Sequence, residues 1–189
     1  QSITVNAAGT YTVNQTLLGC TSPNASQSIT VNPIPSAPVI TAGGPTTFCD
    51  GGSVVLTSSV ATGNTWSTTE TTQSITVNAS GTYTVTQTQL GCTSAASSPV
   101  NVIVNTIPAV PTITASGSTT FCAGGSVTLT SSSPSNNFWS NGATTQSITV
   151  TTSGTYSVQV TNAEGCLSPA SVPTTITVNA APAAPTITA

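Results

Sequence analysis

Apolar and polar residues alternate with period two along most of this chain. Ile75 and Val77 alternate with Ser74, Thr76 and Asn78, Tyr83 and Val85 with Thr82, Thr84 and Thr86, and Val127 and Leu129 with Ser126, Thr128 and Thr130. A period of two turns one face of a strand inward and the other toward water. Thr and Val dominate these segments, as expected where β-branched side chains pack on a pleated surface. No segment carries apolar residues at helical spacing over three turns, so the pattern predicts an all-β chain.

Turn residues divide the pattern into short elements. In the middle of the chain, 39–42 reads as a strand ended by Gly43-Gly44-Pro45, and the turn Cys49-Asp50-Gly51-Gly52 leads into a strand at 53–58. A short strand follows around Trp66, then one at 73–77; Asn78-Ala79-Ser80-Gly81 reverses the chain into 82–88, and a last strand follows Gly91-Cys92 at 99–104. Short strands at close spacing with Gly-rich turns predict a small sandwich or barrel. A β-helix is the competing fold, but its coils are much shorter and would have no use for one Trp and one Cys pair per unit.

The pattern is also copied. Gln73-Ser74-Ile75-Thr76-Val77 recurs at 146–150 and is echoed at 1–5; Trp66 recurs as Trp139, Phe48-Cys49 as Phe121-Cys122, and Tyr11 as Tyr83 and Tyr156. A fixed period, here 72 to 74 residues, marks an array of one small folding unit. The expected organisation is two whole repeats at 38–107 and 111–181, the second half of a repeat at 1–34, and the opening strand of another at 184–189. Gln1 falls inside a copied motif, as expected of a window cut from a longer polypeptide. Asn32, Asn105 and Asn179 close the last strands, and Pro35/Pro38, Pro108/Pro111 and Pro182/Pro185 follow them. Closely spaced prolines favour a semi-rigid connector, so the units are expected to form a stiff string.

Charge narrows the function classes. The chain has no Lys, Arg or His and three acids, a formal charge of −3. Nothing is present to neutralise phosphates or to attract anionic lipid, which argues against nucleic-acid partners and polybasic membrane binding. No apolar run approaches the roughly 20 residues needed to span a bilayer, so no membrane insertion is expected in this window. Asp50 aligns with Ala123, Glu70 with Ala143, and Glu164 with Leu90 and Leu18, so no carboxylate site is copied. Without the usual acid–base and nucleophilic groups, no enzyme activity, catalytic residue or cofactor is expected.

The five cysteines fall into two classes. Cys49 and Cys122 precede the second strand, whereas Cys20, Cys92 and Cys166 sit in Gly-Cys after the Tyr-bearing strand. Each whole repeat holds one of each, which predicts one disulfide per domain, Cys49–Cys92 and Cys122–Cys166, and leaves Cys20 unpaired. A bridge over about 43 residues contributes about 4 kcal/mol in the chain-entropy account, substantial for a small domain with a thin core. Metal binding is the rival reading, but with no His and no Cys-x-x-Cys none is expected. Disulfides imply an oxidising, extracellular setting.

Trp66 and Trp139 would offer stacking platforms for sugars if exposed; their fixed place in the repeat favours a structural role in the core, near the disulfide. Tyr11, Tyr83 and Tyr156 follow Ser/Ala-Gly-Thr at the start of a strand, the pattern of a tyrosine corner, so Tyr83 and Tyr156 are also read as structural. The Asn-x-Ser/Thr triplets at Asn14, Asn24 and Asn78 arise readily by chance in so Asn- and Thr-rich a chain.

Phe121-Cys122-x-Gly-Gly-Ser-Val127, Trp-Ser-Asn-Gly-Ala-Thr-Thr-Gln-Ser-Ile-Thr-Val at 139–150, Ser-Gly-Thr-Tyr at 153–156 and Gly165-Cys166 resemble tandem immunoglobulin-like repeats. The similar repeats are those of giant secreted surface proteins of Bacteroidota, including gliding-type adhesins and proteins exported by the type IX route. The resemblance covers essentially the whole chain. It implies small immunoglobulin-like β-sandwich domains of about 73 residues, an extracellular or cell-surface location and a stalk or adhesive role. The expected function is a structural rod or filament that self-associates into fibres, low charge making side-by-side packing inexpensive. The alternative is a module that contacts glycans or cell surfaces through its loops or Trp66 and Trp139.

Overall fold

The structure, a computed structural model, describes residues 2–185. Its residues gather into two compact units, one of Gln1–Thr46 with Val54–Val102 and the other of Thr47–Ser53 with Ile103–Ala189. The segment 47–53 of the expected repeat 38–107 is thus grouped with the residues that follow 102. The opening strand expected at 184–189 falls for its greater part on 186–189, outside the described residues.

The second unit shows the full strand arrangement. In one sheet, Val127–Ser131 lies between Ile113–Ala115 and Ser147–Val150, antiparallel to both, with Leu129 opposite Ala115 and Ile148. Across the core lie two separate ladders: Asn137–Trp139 pairs antiparallel with Val158–Val160, and Gly154–Tyr156 pairs antiparallel with Thr174–Asn179. Thr120–Cys122 joins the far side of Thr174–Asn179 in parallel. Inward residues of the two layers form one core: Val127, Leu129, Ile148 and Val150 meet Trp139, Val158 and Ile176. Two packed layers of strands, a buried Trp on the third main strand and a tyrosine at the start of a later one make this an immunoglobulin-like β-sandwich.

The first unit repeats the pattern. Val54–Ser58 lies between Ile40–Ala42 and Ser74–Val77, Asn64–Trp66 pairs with Val85–Gln89, and Gly81–Tyr83 pairs with residues 100–102. Val54, Leu56, Trp66, Ile75, Val77, Tyr83, Val85 and Val102 are buried. The strand expected at 82–88 is divided at Thr84, where its pairing passes from one neighbour to another.

Residues 9–29 carry only the closing strands of such a sandwich. Gly9–Val13 pairs with Ala25–Ile29, and Thr16–Leu17 with Cys20–Thr21. Val13 is 68% exposed where its counterpart Val85 is 1% exposed.

Two local devices recur. Each tyrosine hydroxyl donates to a carbonyl four residues upstream: Tyr11 to Ala7 (3.0 Å), Tyr83 to Ala79 (2.9 Å) and Tyr156 to Thr152 (3.3 Å). Buried serines complete the ladder where the returning chain does not pair regularly. Ser97 and Ser94 accept through Oγ from the N–H groups of Val85 (3.1 Å) and Gln87 (2.9 Å), and Ser171 and Ser168 accept from Val158 (3.1 Å) and Val160 (3.0 Å). A backbone donor in a core must find a partner, and here a hydroxyl supplies it.

Candidate functional site

The chemically active side chains of this chain are its cysteines, and strand pairing decides where they stand. Thr47–Cys49, expected as the approach to a turn, is a strand that runs parallel to 103–105 and sets Cys49 opposite Asn105. The Asp50 N–H then donates to the Asn105 carbonyl at 2.8 Å. The motif's two glycines make the exit possible. Gly51 has φ 90°, a left-handed conformation suited to glycine, and a Cβ on Gly52 would approach the Phe48 ring and the Cys49 carbonyl to 3.0 and 3.1 Å. The copy is alike: Cys122 stands opposite Asn179, and the Ala123 N–H donates to the Asn179 carbonyl at 2.8 Å.

Cys49 is bonded to Cys166, with Cα atoms 5.6 Å apart. Cys20, Cys92 and Cys122 are free thiols. The expected pairs Cys49–Cys92 and Cys122–Cys166 are therefore replaced by a single bridge that joins the first cysteine of one sequence repeat to the second cysteine of the next. The reason is positional. A disulfide needs Cα atoms within about 7 Å, and Cys49 is pinned by its parallel strand to Asn105. The Cys92 Sγ lies 3.7 Å from the carbonyl of Asn32, three residues beyond the strand Ala25–Ile29.

A side-chain amide holds each of two Gly-Cys turns, from different positions. Asn162 accepts the Cys166 N–H through Oδ1 (2.8 Å) and donates through Nδ2 to the Thr106 carbonyl (2.8 Å), just beyond Asn105. Asn32 donates through Nδ2 to the Leu90 carbonyl (3.1 Å), two residues before Cys92. Cys166, within the bridge, is 0% exposed, whereas Cys20 and Cys122 are exposed. The recurrence of Asn at 32, 105 and 179 was the one sequence signal for these seats.

Trp66 and Trp139 are each 2% exposed, and their indole N–H groups donate to the carbonyls of Thr72 (2.9 Å) and Thr145 (2.8 Å). Neither offers a face to a sugar, which removes the Trp-based part of the glycan-binding alternative. Tyr83 is buried and Tyr156 half-buried. Glu70 is exposed, and a hydrogen bond from Thr68, with one from its own backbone, holds its carboxyl below the usual range. Among the described residues no three His, Cys, Asp or Glu side chains gather in a possible metal site, and no helix is long and apolar enough to cross a membrane.

The outward faces are hydroxyl ladders. Thr57 bonds Ser74 (2.9 Å), Thr130 bonds Ser147 (2.9 Å), Thr88 bonds Thr93 (3.0 Å) and Thr10 bonds Ser28 (3.1 Å), each across a strand pair. These pairs satisfy one another without charge.

No family model and no curated protein matches the chain. Among solved structures it is similar to the human OSCAR ligand-binding domain, with 15% identity and a TM-score of 0.31, over 77% of this chain and 100% of that one. It is also similar to a chain in the crystal structure of the mouse coronavirus receptor-binding domain complexed with its murine receptor. There the identity is 16% and the TM-score 0.39, over 74% of this chain and 98% of that one.

Proposed function

We propose that this chain is a segment of an extracellular rod or filament built from successive immunoglobulin-like sandwiches, belonging to a bacterial surface appendage or adhesin stalk. The observation that carries the reading is the bond between Cys49 and Cys166, which ties one sequence repeat to the next rather than closing each on itself. A protein whose repeats are covalently joined in series is suited to transmit load along its length. The disulfide fits an oxidising compartment outside the cytosol. The sequence resemblance to secreted Bacteroidota surface repeats supports the same location.

The surface composition supports side-by-side assembly. With no cationic side chain and three acids, neighbouring rods repel one another weakly, and the Thr/Ser ladders offer hydroxyls for contacts between chains. Negative-stain electron microscopy of the native material tests the reading. Fibres of uniform width, well above the roughly 20–25 Å of one sandwich, are the expected result. Globular particles with no elongated form would refute it, and thin single strands would restrict the role to that of a stalk.

A further inference from the structure

We propose that the Phe-Cys strand and the Gly-Cys turn are the two halves of a general inter-repeat bridge, so that Cys92 and Cys122 are bonding sites for other copies of this repeat. Cys92 takes the Phe-Cys cysteine of a repeat standing before it. Cys122 takes the Gly-Cys cysteine of a repeat standing after it. Every joint of the array then carries one disulfide, and each repeat is held from both sides. The inference goes beyond the rod reading and does not need it, since a binding array would be bridged in the same way.

Three independent observations point to these partners. The first is the bridge itself, Cys49–Cys166, which shows the pair closed once. The second is the state of Cys122. Its strand pairing to Asn179 and the 2.8 Å bond from Ala123 to the Asn179 carbonyl reproduce the surroundings of Cys49 at Asn105, yet its sulfur is free and exposed. The third is the place of Cys92. The carbonyls of Asn105 and Asn179 each receive the N–H that follows a Phe-Cys cysteine, and Asn32 is their counterpart in the sequence. The Cys92 Sγ lies 3.7 Å from that Asn32 carbonyl. Its thiol therefore stands beside the seat that a Phe-Cys strand would occupy.

The closing step is thiol–disulfide exchange. A small-molecule or protein disulfide accepts attack by one thiolate, forming a mixed disulfide and releasing one reduced thiol. The second cysteine then displaces the carrier's other sulfur, also as a thiol. One S–S bond forms, one is reduced, and the two cysteine protons end on the carrier's thiols. The partner repeat comes either from a second molecule or from the same polypeptide, and the two sources are distinguishable.

The test is refolding of the 189-residue chain in a redox buffer of reduced and oxidised glutathione, followed by acid quench, pepsin digestion and mass spectrometry of linked peptides. Pepsin is needed because the chain offers trypsin no basic residue. In parallel, the chain is lengthened by residues 116–181 appended after Ala189, a join that keeps register because Pro185-Thr186-Ile187-Thr188-Ala189 repeats 111–115. The appended copy carries Leu167→Val as a mass tag. The Cys49–Cys166 peptide is expected in both proteins. In the 189-residue chain, covalent multimers joining Cys122 to Cys20 would support the inference with a second molecule as the source. A monomer whose lengthened form joins Cys122 to the tagged Gly-Cys would support it with the source in the same chain. Recovery of Cys49–Cys92 or Cys122–Cys166 as the major link would overturn it. So would a Cys122 that stays free in the lengthened chain while the Cys49–Cys166 link forms. Failure to form fibres would leave these linkages unaltered, so the two proposals fail separately.

Discussion

Replacing Thr69 with glycine should stabilise the first unit. Thr69 lies in the tight turn after Trp66, where its N–H donates to the Trp66 carbonyl (2.9 Å) and the Trp66 N–H donates to Glu70 (2.9 Å). Closing the turn in this way requires a left-handed backbone, and Thr69 has φ 78°. The same turn in the second unit has Gly142 at φ 85° and equivalent bonds, Gly142 to Trp139 at 2.8 Å and Trp139 to Ala143 at 2.9 Å. A left-handed conformation costs an L residue about 1–2 kcal/mol, and a β-branched one is least suited to it. Glycine gives back roughly 0.5–1 kcal/mol through the greater freedom of the unfolded chain. The net expectation for Thr69→Gly is a gain of about 0.5–1 kcal/mol, or roughly 2–8 °C in Tm for a domain of this size. The reciprocal Gly142→Thr should cost a similar amount through the backbone alone, because a Cβ at Gly142 meets nothing within 4 Å. Urea unfolding followed by tryptophan emission reads both, each unit having one buried indole. A loss of stability in Thr69→Gly would refute the reasoning and mean that the threonine side chain outweighs the backbone strain.

Three further outcomes follow from the same geometry. Ser97→Ala leaves the Val85 N–H unpaired in the core and should cost about 1–3 kcal/mol, whereas the same change at the exposed Ser98 should cost under about 0.5 kcal/mol; urea midpoints compare them. Cys49→Ser opens a bridge spanning 117 residues, for which chain entropy alone gives about 5 kcal/mol, and the loss measured by denaturation should lie at about 2–5 kcal/mol. Stability should be flat from about pH 5 to 7.5, where no side chain of this composition has its ordinary pKa. On acidification it should fall in the carboxylate range: Glu70 titrates lower folded than unfolded, so its contribution is present above the unfolded pKa and is lost as pH falls through the folded one. A transition near pH 6.5 in a thermal-melt series would contradict this.

The sequence by itself determined the strands that alternate. Leu56, Ile75, Val85, Leu129, Ile148 and Val158 are inward-facing because burying one face of a pleated strand leaves a period of two in the chain. The tyrosine hydroxyl bonds and the glycine turns were likewise legible, since both are local and span four or five residues. The partners of the cysteines were decided by the tertiary structure. Thr47–Cys49 is too short, and too closely bounded by Gly43-Gly44-Pro45 and Gly51-Gly52, to show any period. Counting one cysteine of each class per repeat therefore suggested closure within the repeat. Parallel pairing with 103–105 instead carries Cys49 to the end of the last strand, where the Gly-Cys turn of the next repeat meets it. The buried serines were hidden for a related reason: Ser94, Ser97, Ser168 and Ser171 resemble any other serine until the fold places an unpaired N–H against them. Contacts made within a few residues are written in the local pattern. Contacts between residues about a hundred positions apart depend on which strand lies beside which, and that only the folded chain settles.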